Sequence, residues 1–182
     1  ALSDEIKKYG GKPVMWKSGH SLMKQKMTEL GSPLGGEVSG HLFIGEDYFG
    51  FDDGPLVALK ALEIFAASDK TVAELFDEIP KLVATPEIVM PAPDDVKFKI
   101  IADMKAELER AYEVVDVDGA RALFEHGWGL VRASNTQPAI TMRFEAYDNA
   151  QLVEYMQRFK ALLDKHPQVD PQKLVEQIEA FS

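Results

Sequence analysis

The 182-residue sequence contains no cysteine, which excludes a disulfide framework and a thiolate metal site and is compatible with a reducing compartment. No apolar run approaches the length of a membrane span, and the opening LSDEIKKYGG is too polar for a secretory leader. Basic residues are in deficit: 20 Lys and Arg face 30 Asp and Glu, and the net charge of −10 argues against general nucleic-acid binding. Only four histidines occur, and no two stand at a spacing that reads as a metal site. There is no internal repeat, no low-complexity tract, no Ser-His-Asp set and no acidic triplet resembling a divalent-metal loop. Neither a membrane nor a nucleic acid is expected as a partner.

What is present is a globular composition, 46% apolar, in a length that fits one ordinary domain or two small ones. Charge is unevenly placed. Residues 1–30 carry six lysines against Asp4, Glu5 and Glu29, a local +3 that leaves −13 for the remainder. An anionic ligand would have to be met by placed donors, because the overall field repels it.

Periodicity and punctuation predict the following elements. LSDEIKKY reads as helix, with Ser3 as cap and Gly10–Gly11 as stop. KPVMWK reads as a short strand. GHSLMKQKMTELG is helical, with Leu22, Met23, Met27 and Leu30 as its apolar set and Gly31 at its end. SPLGGEVSGHLFI is a glycine-rich loop running into a strand. FDDGPLVALKALEIFAAS is a helix capped by Asp52 or Asp53, and TVAELFDEI another, opened by a Thr71/Glu74 capping box. Pro80, Pro86, Pro91 and Pro93 mark the best boundary in the chain. Beyond it stand a helix (KFKIIADMKAELERAYE), strands at EVVDVDG, ARALFE, GWGLVRA and AITMRFEA, and a helix with Leu152, Val153, Met156, Phe159, Leu162 and Leu163 inward. A last helix runs roughly over 171–181. The pattern is an α/β unit over residues 1–84 followed by an α+β unit over 85–182.

Two clusters carry candidate chemistry. In GGEVSGH, the polar Glu37, Ser39 and His41 alternate, so an extended backbone would aim all three the same way. A carboxylate that accepts and a hydroxyl that both donates and accepts suit vicinal sugar hydroxyls. The competing account is a glycine turn with a solvated Glu37. In GLVRASNTQPAITMRFEA, Arg132, Ser134, Asn135 and Thr136 interrupt two apolar strands, with Pro138 at the exit. Arg132 can grip a phosphate bidentately within such a nest of donors. A hairpin turn with a solvated arginine explains the same residues equally well. His20 opens a predicted helix, where amides favour anions, or is a cap or surface residue. Asp52–Asp53 suit a helix cap better than a Mg²⁺ site, and His126 and His166 have no company that suggests a site.

WKSGHSLMKQKM, GGEVSGHLF, YFGFDDG and GWGLVRASNTQPAITMRFEA, in this order, resemble the C-terminal half of the α-D-phosphohexomutases, most nearly the bacterial phosphomannomutase/phosphoglucomutase group. The resemblance implies a truncated α/β domain 3 followed by an α+β, TATA-binding-protein-like C-terminal domain 4 with an antiparallel sheet and helices. It implies a cytoplasmic phosphotransferase that moves a phosphoryl group between O1 and O6 of a hexose through a bisphosphorylated intermediate. On this likeness His20, Glu37, Val38, Ser39, Gly40 and His41 meet the sugar, Glu37 and Ser39 at O3 and O4, and His41 is a candidate for proton transfer. Arg132, Ala133, Ser134, Asn135 and Thr136 meet the phosphate, so the two loops hold opposite ends of one ligand. Family members with Gln at the position of Val38 and Gly at that of Asn135 favour glucosamine phosphates, so Val38 and Asn135 point to hexoses. The phosphoserine loop and the Mg²⁺ loop of the family are absent from this sequence. Mg²⁺ and a hexose 1,6-bisphosphate activator are therefore expected to belong to the N-terminal half of the same enzyme, a partner alongside the phosphorylated hexose. The chain alone is then expected to be inactive, a fragment whose first helix is a remnant and whose residues 1–80 self-associate or disorder. The alternatives are a non-catalytic interaction module and a phosphosugar-binding protein of the same fold.

Overall fold

The computed structural model describes residues 2–134 and 137–182. It divides into two compact units, residues 1–80 and 81–182.

The first unit holds α1 (Leu2–Lys8), α2 (His20–Leu30), β1 (Leu34–Gly36), β2 (Leu42–Ile44), α3 (Gly54–Ala66) and α4 (Val72–Asp77). β1 and β2 form an antiparallel hairpin in which Leu34, Gly35 and Gly36 face Ile44, Phe43 and Leu42. Local signals set most of these boundaries. Gly31 ends α2 in the left-handed conformation, and the Asp53 side chain caps α3 by accepting from the Leu56 N–H at 3.0 Å. Thr71 and Glu74 close the expected capping box on α4. Two expectations fail. Ser3 lies inside α1 rather than capping it. KPVMWK forms no strand: a strand exists only as part of a ladder, and among the described residues no ladder joins this run to the hairpin. The core of this unit is small. Met27 and Phe43 are its buried hydrophobics, whereas α3 has no buried residue and leaves Leu59, Leu62 and Ile64 more than 60% exposed.

The second unit is an antiparallel sheet with helices packed on it. It comprises β3 (Val83–Ala84), β4 (Ile88–Pro91), α5 (Asp94–Leu108), β5 (Glu113–Val115), β6 (Ala120–Phe124), β7 (Gly127–Ala133), β8 (Ala139–Ala146), α6 (Asn149–Leu163) and α7 (Gln172–Phe181). The strand order is β3-β8-β7-β6-β5, with β4 also on β8. β3 and β4, which composition alone did not suggest, run along the same partner as one interrupted edge strand. Pro86 sits in the interruption, where a residue without an N–H can be tolerated. Thr85 bridges the gap: its N–H donates to the Phe144 carbonyl at 3.0 Å, and its Oγ1 accepts from the Phe144 N–H at 3.1 Å.

Alternation along the central strands sorts the faces. Val131, Met142 and Phe144 enter a core with Ile100, Met104 and Leu108 of α5 and with Leu152, Met156, Phe159 and Leu163 of α6. Phe159 meets Phe144 edge-on at 4.9 Å, and Tyr155 stacks on Phe124 at 4.0 Å. Arg132, one residue beyond Val131, is thereby turned away from that core. Its cross-strand partner is Thr141.

Candidate functional site

Each unit gathers its own polar cluster. In the first unit the segment predicted to be extended is a turn. The Glu37 N–H donates to the His41 carbonyl at 2.9 Å and the Gly40 N–H to the Glu37 carbonyl at 3.0 Å, closing the β1–β2 hairpin. Glu37, Ser39 and His41 therefore converge by chain reversal, not by alternation. Ser39 Oγ lies 3.3 Å from Glu37 Oε2 and 2.7 Å from His41 Nδ1. Val38 stands at the tip, 90% exposed.

His20 joins this group from another element. As the first residue of α2 it meets the His41 ring edge-on at 4.8 Å and the buried Phe43 ring at 5.2 Å. Gly19, just before it, has φ 127°, a conformation closed to most side chains. That geometry lets the Gly19 N–H donate to Glu37 Oε1 at 2.7 Å and ties the helix start to the hairpin. Asp52 completes the surroundings. An isolated bridge pairs it with Phe43, and its Oδ2 lies 3.9 Å from His41 Nε2.

The Gly19 N–H is the main cause holding Glu37 below the usual carboxylate range; burial opposes it, while the Ser39 hydroxyl and the two imidazoles assist. A carboxylate depressed in the folded state contributes stability above its unfolded pKa of about 4.3 and loses it as pH falls through the lowered value. The amide proton of Gly19 reports this directly. Its NMR shift is expected to titrate with a midpoint below the ordinary glutamate value, and Glu37→Gln to abolish that titration. A midpoint at or above the ordinary value would contradict the assignment.

Asp53 does not serve a metal. Its Oδ1 caps α3 and its Oδ2 accepts from the Tyr48 hydroxyl at 2.6 Å, so the Asp52–Asp53 pair forms no oxygen cage and does not fit a Mg²⁺ site. A groove of about 410 Å³, lined by Lys24, Met27, Thr28 and Phe49 among others, includes none of the Glu37 cluster.

In the second unit, residues 134–138 connect β7 to β8. The Ser134 N–H donates to the Ala139 carbonyl at 2.9 Å, extending the ladder, and Ser134 Oγ accepts from the Gln137 N–H at 3.1 Å. Asn135 and Thr136 lie outside the described residues. Ala133 turns its side chain toward the core, so only its backbone is available to a ligand.

Arg132 is braced from three sides. Its Nε donates to Thr141 Oγ1 at 3.2 Å, Nη1 to Asp118 Oδ2 at 3.2 Å and Nη2 to Glu87 Oε1 at 3.1 Å. Counted over the described residues, three of its five N–H groups are engaged, which leaves one on each terminal nitrogen. The two carboxylates hold the guanidinium in place and also compete with any incoming anion.

Sequence reading missed the residue beneath this loop. Lys97, in the first turn of α5, is 4% exposed. Its ammonium donates to the carbonyls of Ser134 at 2.6 Å and Gln137 at 2.9 Å, and pairs with Asp94 at 2.6 Å. One buried cation thus clamps both ends of the segment. Its only sequence signal is a lysine amid the apolar residues of an amphipathic helix, a pattern most exposed lysines share.

Comparison with known proteins assigns both units. A family model for the α/β/α domain III of phosphoglucomutase/phosphomannomutase matches residues 1–83, and one for the C-terminal domain matches residues 90–162. The phosphomannomutase/phosphoglucomutase of Pseudomonas putida is 42% identical over 163 residues, 89% of this chain and 35% of that protein. The Pseudomonas aeruginosa protein of the same name is 46% identical over 142 residues, 78% of this chain and 31% of that protein. A solved phosphoglucomutase/phosphomannomutase family protein from Burkholderia thailandensis superposes with a TM-score of 0.82 at 37% identity, over 93% of this chain and 36% of that one. The chain spans about a third of the length of the curated relatives it matches. Domain-level matches covering both units in series place this chain in the phosphoglucomutase/phosphomannomutase family, of which it carries domain III and the C-terminal domain.

Proposed function

We propose that this chain supplies the sugar-binding and phosphate-binding domains of an enzyme that interconverts hexose 1-phosphate and hexose 6-phosphate through a bisphosphorylated sugar. The observation that carries this reading is the Glu37–Ser39–His41 turn, where the Ser39 hydroxyl lies within hydrogen-bond reach of both the Glu37 carboxylate and the His41 imidazole. Glu37 accepts while Ser39 donates or accepts, so the pair can hold two vicinal hydroxyls with the ring presented either way round. A substrate that reorients between two half-reactions needs that tolerance. His20 and His41 border the ring, with His41 placed to relay a proton. Val38 and Gly40 shape the turn. Mannose and glucose share the hydroxyls in question, so both fit this role.

Arg132 receives the phosphate, with the backbone of Ala133 and with Ser134, Asn135 and Thr136 as further donors. The anion meets a guanidinium already paired with Glu87 and Asp118, with one N–H on each terminal nitrogen to offer, which makes weak binding, about millimolar, the expectation. Phosphoryl transfer belongs to the remaining two-thirds of the relatives' length. That N-terminal portion is the natural partner of this chain and the place for a phosphoserine, Mg²⁺ and the hexose 1,6-bisphosphate. A cytoplasmic setting accompanies the role. Without that portion, the apolar side of α3 is available for self-association.

Titration with glucose 1-phosphate is expected to show saturable binding, with Arg132→Ala weakening it by about 10–150-fold, the equivalent of about 1.5–3 kcal/mol for a charged hydrogen bond. Glu37→Gln is expected to weaken the same ligand. Absence of binding at millimolar concentration, or turnover by this chain alone, would overturn the proposal.

A further inference from the structure

We infer that His20, Glu37 and His41 form a site for a transition-metal dication, best matched by Zn²⁺, in the turn that the functional reading assigns to the sugar. The metal inference stands on side-chain geometry and does not need the sugar assignment; only the competition described below rests on it. One ligating atom from each of the three residues lies within 4.8 Å of the others. Two imidazoles and one carboxylate with an open position is the donor set that suits zinc. With Zn–N bonds of about 2.0–2.1 Å, two imidazoles on one tetrahedral ion place their ring centres roughly 5 Å apart. The rings of His20 and His41 are 4.8 Å apart.

Carboxylates flank the His41 ring on both sides: Nδ1 is 3.6 Å from Glu37 Oε2 and Nε2 is 3.9 Å from Asp52 Oδ2. The outer contacts are those of a metal site as well. The Gly19 N–H fixes one oxygen of Glu37, and Ser39 orients the His41 ring through Nδ1. If the sugar reading holds, an ion on Glu37 occupies the carboxylate that hydroxyls need, so Zn²⁺ and hexose phosphate exclude one another.

The test is a titration of the chain with Co²⁺, followed by its visible d–d absorption, and then displacement by Zn²⁺. The expected result is one equivalent bound with the intense absorption of a site of low coordination number, lost in the His20→Ala/His41→Ala double variant and kept in His126→Ala. Ser39→Ala is expected to bind about tenfold more weakly, since outer-shell partners typically contribute 10–100-fold. Because a double variant can disturb the small first unit, wild-type imidazole NMR gives a second measurement: Zn²⁺ is expected to shift the ring signals of His20 and His41 and to leave those of His126 and His166 in place. No absorption, absorption that survives the double variant, or ring shifts confined to His126 and His166 would each overturn the inference. Arg132→Ala separates the two proposals, because it is expected to weaken phosphosugar binding while leaving Co²⁺ absorption unchanged.

Discussion

Replacing Gly119 with alanine is expected to lower the melting temperature of the second unit by about 8–40 °C. Gly119 has φ 92°, and a β-carbon there would stand 2.3 Å from the Val131 carbonyl oxygen, 2.6 Å from Arg132 Cβ and 2.9 Å from Arg132 Cα. Those atoms belong to the backbone and root of a central strand, so none can swing aside. The left-handed conformation costs a side chain about 1–2 kcal/mol and the overlap about 1–3 kcal/mol more, and each kcal/mol shifts a domain of this size by about 4–8 °C. The effect reaches the site, because the same turn delivers Asp118 to Arg132. Thermal unfolding followed through the Trp128 indole signal checks this. A shift under about 2 °C would show that β6 and β7 can separate at little cost.

Lys97→Met is the second large effect. The substitution keeps the apolar stem and removes the ammonium, so the Ser134 and Gln137 carbonyls lose their shared donor and Asp94 its partner. Charged hydrogen bonds contribute about 1.5–3 kcal/mol each, and water can replace only part of this at a surface loop. Phosphosugar binding is expected to fall by about 10–100-fold. Amide exchange is expected to quicken over residues 133–139 while β5 and β6 stay protected. That regional signature separates a loosened loop from general unfolding. Unchanged exchange over 133–139 would show that the segment holds its shape without the clamp.

Much of this was readable in advance, for reasons tied to particular residues. Helix α6 shows its buried set openly, because a 3.6-residue repeat of large apolar side chains leaves few alternatives. The Thr71–Glu74 box and the Asp53 cap are short-range bonds that sequence spacing fixes almost alone. KPVMWK failed for the opposite reason: strand formation is decided by a partner, and β propensity supplies none. Prolines marked 80–95 as a domain boundary and suggested no strand there, yet β8 has an open side that accepts an edge strand, and an edge tolerates proline. The meeting of His20 with Glu37 was not readable from the residue pattern itself, because it depends on one amide at Gly19, eighteen residues from Glu37 with a helix between them. Lys97 was hidden because burial of a cation shows only when its carbonyl partners are in place.

The order of strands has a kinetic corollary. From β5 to β8 every pairing joins neighbours along the chain, a meander of local contacts, whereas β4 reaches β8 across a long separation, Ile88 against Met142. Local pairings close first and distant ones last, and fraying retraces that order. The β7–β8 hairpin is therefore expected to form before the proline-rich segment at β3 and β4 docks on it, and fraying is expected to begin at that edge.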